Sequence, residues 1–160
     1  MKTRDAKTAA LALRKKNGKP ELGALITLYG LQVPDRLTNV IAAIDESRAL
    51  LDLPDDWDGN GTPGFSEHTW SRAAEVLIAF ATLLATHHGV IVEDVEMLPG
   101  ANGGLDIDVR SGDRQLLFAV SSDPQREIRF YGDDGRRGKQ VKATLDPSSI
   151  PHWLLVWMTE

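Results

Sequence analysis

The hydrophobic pattern before Gly89 has the three-to-four-residue spacing of amphipathic helices. One apolar stripe runs through residues 37–51, and a stronger one runs through residues 70–84. We expect Asp35 to cap the first helix and Ser66 to cap the second. Gly89 follows two histidines in a last turn, which is a typical helix ending. The first half of the chain therefore predicts two helices joined by a loop.

After Gly89 the period of the pattern changes from 3.6 to two, which is typical of half-buried strands. The last residues predict a helix that starts after a Ser148 cap, with Pro151 in its first turn. We expect an α+β fold in which N-terminal helices are followed by an antiparallel β-meander and a C-terminal helix packed on one face. The predicted strands span residues 90–97, 105–110, 115–121, 127–131 and 140–144.

The N-terminal part of the chain gives weaker signals. Residues 4–16 have a narrow Ala/Leu face and predict a marginal helix that needs a partner surface to persist in water. Residues 21–33 are apolar, and their pattern fits a short helix or a buried strand equally well. We therefore expect residues 1–20 to form a basic arm or marginal helix and residues 21–160 to form a single α+β domain.

The net charge of −5 over 160 residues hides an uneven distribution. Residues 1–20 carry seven Lys or Arg side chains and one acidic side chain, for a net charge of +6. The other 140 residues carry 11 basic and 22 acidic side chains, for a net charge of −11. A basic arm thus precedes a domain with an acidic surface, and an acidic domain repels nucleic acid.

Composition excludes several classes of protein. The chain has no cysteine, so disulfide frameworks, thiolate zinc sites and cysteine nucleophiles are excluded. It also has no apolar run of the roughly 18 residues that a membrane span needs, and no secretory apolar segment after Met1. We expect a cytoplasmic protein without membrane contact. No nucleophile-and-base arrangement or phosphate-binding loop is present, so we do not expect an enzyme.

One loop matches a calcium-binding pattern. Asp56, Asp58, Asn60, Gly61 and Glu67 satisfy the spacing of an EF-hand loop, in which oxygen ligands surround one ion. Pro63 stands where a paired EF-hand needs a strand residue, and the chain has no second such loop. The competing interpretation is a Gly-rich reversal between two helices, with Trp57 folded back into the groove between them. Calcium bound by Asp56, Asp58, Asn60 and Glu67 is therefore an alternative; no other cofactor is expected.

The same segment resembles part of a known group of proteins. Residues 53–61 and the following Ser66 are similar to the L-P-x-x-W-D-G-x-G segment of uncharacterised small bacterial and phage proteins. A later Gly-Gly-Leu-x-Ile strand at residues 103–107 is similar as well, so the resemblance covers about residues 50–131. That group carries no assigned activity. The resemblance implies loop architecture at residues 53–61 and suggests a partner in host defence.

These observations favour a non-enzymatic protein-binding module. The narrower hypothesis is an inhibitor or neutraliser of a host-defence or toxin protein, encoded by a phage or mobile element. The alternatives are the calcium-binding protein and a nucleic-acid binder that uses the basic arm, which the acidic domain disfavours. Tryptophan is enriched at binding hot spots, although core packing competes with exposure for the C-terminal pair. The candidate partner-binding residues are Trp57, Asp58, Arg136, Arg137, Trp153 and Trp157.

Overall fold

A computed structural model describes residues 15–16, 19–135 and 138–160. Two short hairpins come first, and a five-stranded antiparallel sheet follows after two of the helices. The helices are α1 (Thr38–Ser47), α2 (Glu67–His88) and α3 (His152–Thr159). The strands are β1 (Lys15–Lys16), β2 (Lys19–Pro20), β3 (Leu25–Leu28), β4 (Leu31–Pro34), β5 (Asp94–Pro99), β6 (Leu105–Ser111), β7 (Arg114–Val120), β8 (Ile128–Asp133) and β9 (Gln140–Leu145).

The main sheet is a meander in which every strand pairs with its neighbour in sequence, in the order β5-β6-β7-β8-β9. Alternate residues of β6, β7 and β8 are buried, as a sheet with one covered face requires. Ile107 of β6 pairs with Phe118 of β7, which pairs with Phe130 of β8. These side chains form the floor of the hydrophobic core.

The described helices cover that one face. Phe80 of α2 stacks edge-on against Phe118, with 5.2 Å between ring centroids. Trp70, near the start of α2, is fully buried, and its indole N–H donates to the Ser47 hydroxyl at 2.8 Å. α3 closes the other end of the face, where Trp157 packs over Gly132. The α+β fold, the antiparallel meander and the C-terminal helix are thus confirmed. No described helix is long and apolar enough to cross a membrane.

The expected N-terminal helices are not confirmed. The first helix in the described part of the chain begins at Thr38, and two hairpins precede it. Lys15–Lys16, the end of the helix expected over residues 4–16, pairs instead with Lys19–Pro20; the earlier residues lie outside the described ranges. The ambiguous segment 21–33 contains the β3–β4 hairpin, whose turn is Tyr29-Gly30. Both turn residues have positive φ, so the backbone follows the twist of the strands.

The helix caps agree with expectation at one helix only. The Ser66 hydroxyl accepts from the Thr69 N–H at 3.1 Å at the start of α2, and Gly89 ends that helix in the left-handed conformation. The N-cap of α1 is Leu37 rather than Asp35, whose N–H instead bonds to the Ala24 carbonyl at 2.9 Å. Docking of the hairpin against the helix start takes the place of a side-chain cap there.

The C-terminal helix also begins later than its pattern indicates. Its N-cap is Pro151 rather than Ser148. The Ser148 N–H and hydroxyl both bond to the Asp146 carboxylate, at 2.9 and 2.6 Å. These bonds form a turn before the helix and lower the pKa of Asp146, chiefly through the hydroxyl.

Candidate interaction surface

The loop between α1 and α2 uses its carboxylates to hold its own backbone. Asp56 Oδ1 accepts from the Gly61 N–H at 2.6 Å, and Asp58 Oδ1 accepts from the Asn60 N–H at 2.9 Å. The Thr62 hydroxyl donates to the other oxygen of Asp58, and this bond is the main reason that the pKa of Asp58 is lowered. The expected irregular reversal is present, closed by its own side chains.

The fourth expected calcium ligand has a different partner. Glu67 Oε1 accepts from Arg48 Nη1 at 2.6 Å. Within the ranges that the structure describes, no group of three or more His, Asp or Glu side chains is placed to hold a metal ion. The structure therefore does not assemble Asp56, Asp58, Asn60 and Glu67 around one point.

Arg48 belongs to a stacked cluster that fixes the β3–β4 hairpin. Its guanidinium lies over the Tyr29 ring at 4.7 Å and over the Trp70 ring at 4.6 Å. The Tyr29 hydroxyl donates to Asp45, and this bond raises the pKa of Tyr29. The cluster is structural, because each charged or aromatic group in it already has a partner inside the fold.

The candidate tryptophans differ in their accessibility. Trp57 is half-buried against Phe65, with ring centroids 5.9 Å apart, and its indole N–H is buried with no described partner. Trp157 is only 9% exposed, whereas Trp153 is 48% exposed and rests its ring on Phe130 at 5.8 Å. Core packing thus accounts for Trp157 and leaves Trp153 half available.

The structure does not bring these candidate residues together. Trp57 and Asp58 precede the start of α2, while His152 of α3 lies 5.3 Å from His88 at the end of α2. A helix of 22 residues is about 33 Å long, so the loop and α3 lie at opposite ends of the molecule. Arg136 and Arg137 lie outside the described residues. No single surface therefore contains the expected set.

A broader surface is the face of the main sheet opposite the helices, which we call the open face. Its central positions are apolar or aromatic, and they include Leu117, Ala119 and Tyr131, which is 43% exposed. A shallow cavity of about 300 Å³ lies beside Tyr131. The open face consists of Asp94, Glu96, Leu98, Asp106, Asp108, Arg110, Gln115, Leu117, Ala119, Arg129, Tyr131, Asp133, Gln140, Lys142 and Thr144.

Charge on the open face is divided between its two sides. The β5–β6 side carries the acids Asp94, Glu96, Asp106 and Asp108, together with Arg110. The β8–β9 side carries the bases Arg129 and Lys142, together with Asp133. The apolar centre lies between an acidic side and a basic side, and each side contains one charge of the opposite sign.

The Asp106 carboxylate, on the open face, is partly shielded from water. Partial burial raises the pKa of Asp106 above its usual value, and the positive charge of Arg129 opposes this rise. Asp106 and Arg129 are separated by Ala119 on β7, a small residue that leaves the long Arg129 side chain room to approach. The two sides of the face are therefore in electrostatic contact within one chain.

A cavity of about 630 Å³ lies near α3 and Glu160. Arg114 stands in its wall, 3.8 Å from Asp134, 3.9 Å from Glu160 and 4.9 Å from the Trp157 ring centroid. Arg114 lies on β7, and Trp157 lies on α3. The contacts of Arg114 therefore hold α3 against the sheet.

Three of the four histidines lie together beside this end of the molecule. His152 is 5.3 Å from His88 and 6.4 Å from His87, measured between ring centroids. The buried Nε2 atom of His88 has no hydrogen-bond partner in the described part of the chain. The sequence indicates only that His87 and His88 lie at the end of α2. His152 joins them because α3 docks beside that end of the helix.

Models of protein families, curated proteins and solved structures were all compared with this chain, and none matches it.

The open face does not follow from the sequence of any single strand, because the alternating pattern of one strand indicates only which of its positions are buried. The alternation of Leu105, Ile107 and Val109 with Asp106, Asp108 and Arg110 was visible in the sequence. Strand pairing across five strands was needed to show that Leu117 and Tyr131 lie between the two charged sides.

Proposed function

We propose that this chain is a non-enzymatic protein-binding module and that the open face is its binding surface. The observation that carries the proposal is the apolar centre of the face, at Leu117, Ala119 and Tyr131, with charged positions on both sides. Protein interfaces commonly combine an apolar and aromatic centre with a polar rim. Tyrosine is among the side chains that contribute most at such centres.

The narrower proposal is that the bound protein belongs to a host-defence or toxin system. Its supports are the resemblance at residues 53–61 and 103–107 and the net charge of −11 outside residues 1–20. An acidic domain favours rapid association with basic proteins that themselves bind nucleic acid.

The proposal is tested by affinity capture from the native host with the tagged full chain. We expect wild-type protein to retain a stoichiometric partner and Tyr131→Asp to lose it, because an aspartate places a charge in the apolar centre. Leu25→Asp is the matched control, since Leu25 is 64% exposed on β3, outside the main sheet. If both variants lose the partner, or if neither does, the open face is not the binding surface.

A further inference from the structure

The pairing of strands in the sheet places the charges of the open face in rows. Residues that pair across antiparallel strands point to the same face, so each row crosses the sheet from β5 to β9. The middle row runs Glu96, Asp108, Leu117, Tyr131, Lys142. It begins with an acid, ends with a base, and has a leucine at its centre on β7.

The two outer rows follow the same rule in their charged members. One row has Arg110 on β6 and Asp133 on β8, with Gln115 between them on β7. The other row has Asp106 on β6 and Arg129 on β8, with Ala119 between them. Each row thus contains one pair of charges at equal distances from β7, and the two members are opposite in sign. The remaining charges, Asp94 and Asp108, have the uncharged Gln140 and Tyr131 as their counterparts.

We propose that the open face is an interface between two copies of this chain, related by a twofold axis that runs along β7. The inference rests on the proposed function: a second copy occupies the same surface when no other protein is bound to it. Such an axis carries each row onto itself with its ends exchanged, so Glu96 opposes Lys142 of the other copy. Asp106 then opposes Arg129, and Arg110 opposes Asp133. Each contact occurs twice, because a twofold interface repeats every pair.

The apolar centre fits the same arrangement. Leu117 and Ala119 lie on β7 and therefore meet their own copies at the axis. Tyr131 lies opposite Asp108, a carboxylate that can accept a hydrogen bond from the tyrosine hydroxyl. Face-to-face sheets with nearly aligned strands are a common packing of β-structure.

The other simple twofold axis is less favourable in its charge contacts. An axis across the strands would place each strand on its own copy and reverse the order of the rows. Glu96 would then meet Glu96, Asp108 would meet Asp108, and Lys142 would meet Lys142. The same axis would also place Arg110 on Asp106 and Asp133 on Arg129, each twice, so it gives four contacts of opposite charge and three of like charge. The axis along β7 gives six contacts of opposite charge and none of like charge, so it is the favoured one.

The size of the face sets the expected strength of the dimer. Four strand spacings of about 4.8 Å and five residues at about 3.3 Å give a face of about 19 by 17 Å. Its area of about 320 Å² is less than half of the about 800 Å² that each partner buries in a standard specific interface. We therefore expect a dimer that dissociates on dilution and weakens with added salt.

The experiment is sedimentation equilibrium of the full chain from micromolar to millimolar concentration. We expect wild-type protein to form a dimer, and Glu96→Lys and Lys142→Glu each to weaken it about 10-fold or more, since each creates two like-charge contacts. The double variant Glu96→Lys/Lys142→Glu restores opposite charges and should dimerise again. The two residues lie about 19 Å apart in one chain, so rescue reports contact between copies.

Glu75→Lys on α2 is the matched control, because it changes the net charge equally at an exposed position away from the sheet. Thermal unfolding checks that every variant is folded. The pairing is overturned by a folded double variant that stays monomeric, or by single variants that dimerise as wild type does. If the wild-type chain is monomeric at every concentration, the proposal that a second copy binds the open face is wrong. Loss of a captured host protein in Tyr131→Asp would still support the proposed function in that case.

Discussion

Gly132 and Asp106 show how much space and solvent a side chain has on each face of the sheet. Gly132 lies on the covered face below Trp157, and Asp106 lies on the open face near Arg129. The first position has no room for a side chain, and the second exposes a carboxylate only in part. Each makes a prediction that one substitution can test.

Gly132→Ala should destabilise the fold by about 1–3 kcal/mol, as overpacking of a core generally does. An added Cβ would lie 2.6 Å from Trp157 Cη2 and 2.7 Å from Val141 Cγ2, so the ring or the strand must move. Urea unfolding measures the loss. The double variant Gly132→Ala/Trp157→Leu should cost less than the sum of the two single changes, because the smaller side chain relieves part of the clash. Strict additivity would contradict this explanation.

Asp106→Asn should increase stability at neutral pH by less than about 1 kcal/mol, since the carboxyl is only partly buried. The pKa of Asp106 is raised in the folded chain, so the folded state binds the proton more readily than the unfolded state does. Stability from this group is therefore gained as pH falls through the raised pKa and lost as pH rises. Thermal unfolding of both proteins across acidic to neutral pH measures the difference, which should shrink on acidification. A constant difference would show that Asp106 is not the responsible group.

At the scale of elements, the strongest sequence patterns predicted the structure best. The stripe at residues 70–84 lies within α2, and its Ser66 cap is present, because both signals are local. The helices α1 and α3 begin later than their patterns indicate, since a hairpin and a turn occupy the expected cap positions. The open face could not be predicted from single strands, because its rows depend on pairing between distant residues.

The β3–β4 hairpin should loosen when Tyr29 is removed. Tyr29→Ala loses the edge-on contact with Trp70 at 5.8 Å and the stacking on Arg48, which together contribute about 1–2 kcal/mol. Hydrogen exchange of residues 25–34 should accelerate. Tyr29→Phe, which keeps the ring and loses only the hydroxyl bond to Asp45, should have a smaller effect. Equal acceleration in the two variants would mean that the hydroxyl bond, and not the stacking, holds the hairpin.

The loop between α1 and α2 should not respond to calcium. Ca²⁺ requires six to eight oxygen ligands, whereas Asp56 and Asp58 accept bonds from the loop itself and Glu67 pairs with Arg48. We expect millimolar Ca²⁺ to leave the melting temperature of the wild-type protein unchanged. A rise that Asp58→Ala abolishes would establish the calcium alternative instead.

At the scale of the whole molecule, charge is separated along the chain and again across the sheet. The first 20 residues carry +6 and the remaining 140 carry −11. The open face repeats the division with an acidic side and a basic side. The first separation concerns contact with polyanions, and the second concerns recognition of another protein surface.

Deleting residues 1–14 should lower the salt concentration at which the protein elutes from a heparin column. These residues contain four Lys or Arg side chains and one aspartate, while residues 21–160 repel a polyanion. Substitution of Lys142 by glutamine serves as the control and should have a smaller effect, because it removes one positive charge rather than a cluster. Equal elution of the deleted and full-length proteins would remove residues 1–14 as a site for polyanions.

The order of strands in the sheet also has a consequence for how the chain folds. Because each strand of the meander pairs with the next one in sequence, hairpin after hairpin can form without waiting for distant segments to meet. Short loop closures lose little entropy, and chains rich in near-neighbour contacts fold fast. The sheet is therefore suited to assembly ahead of α3, which follows the meander in sequence and packs onto the core once the strands have paired.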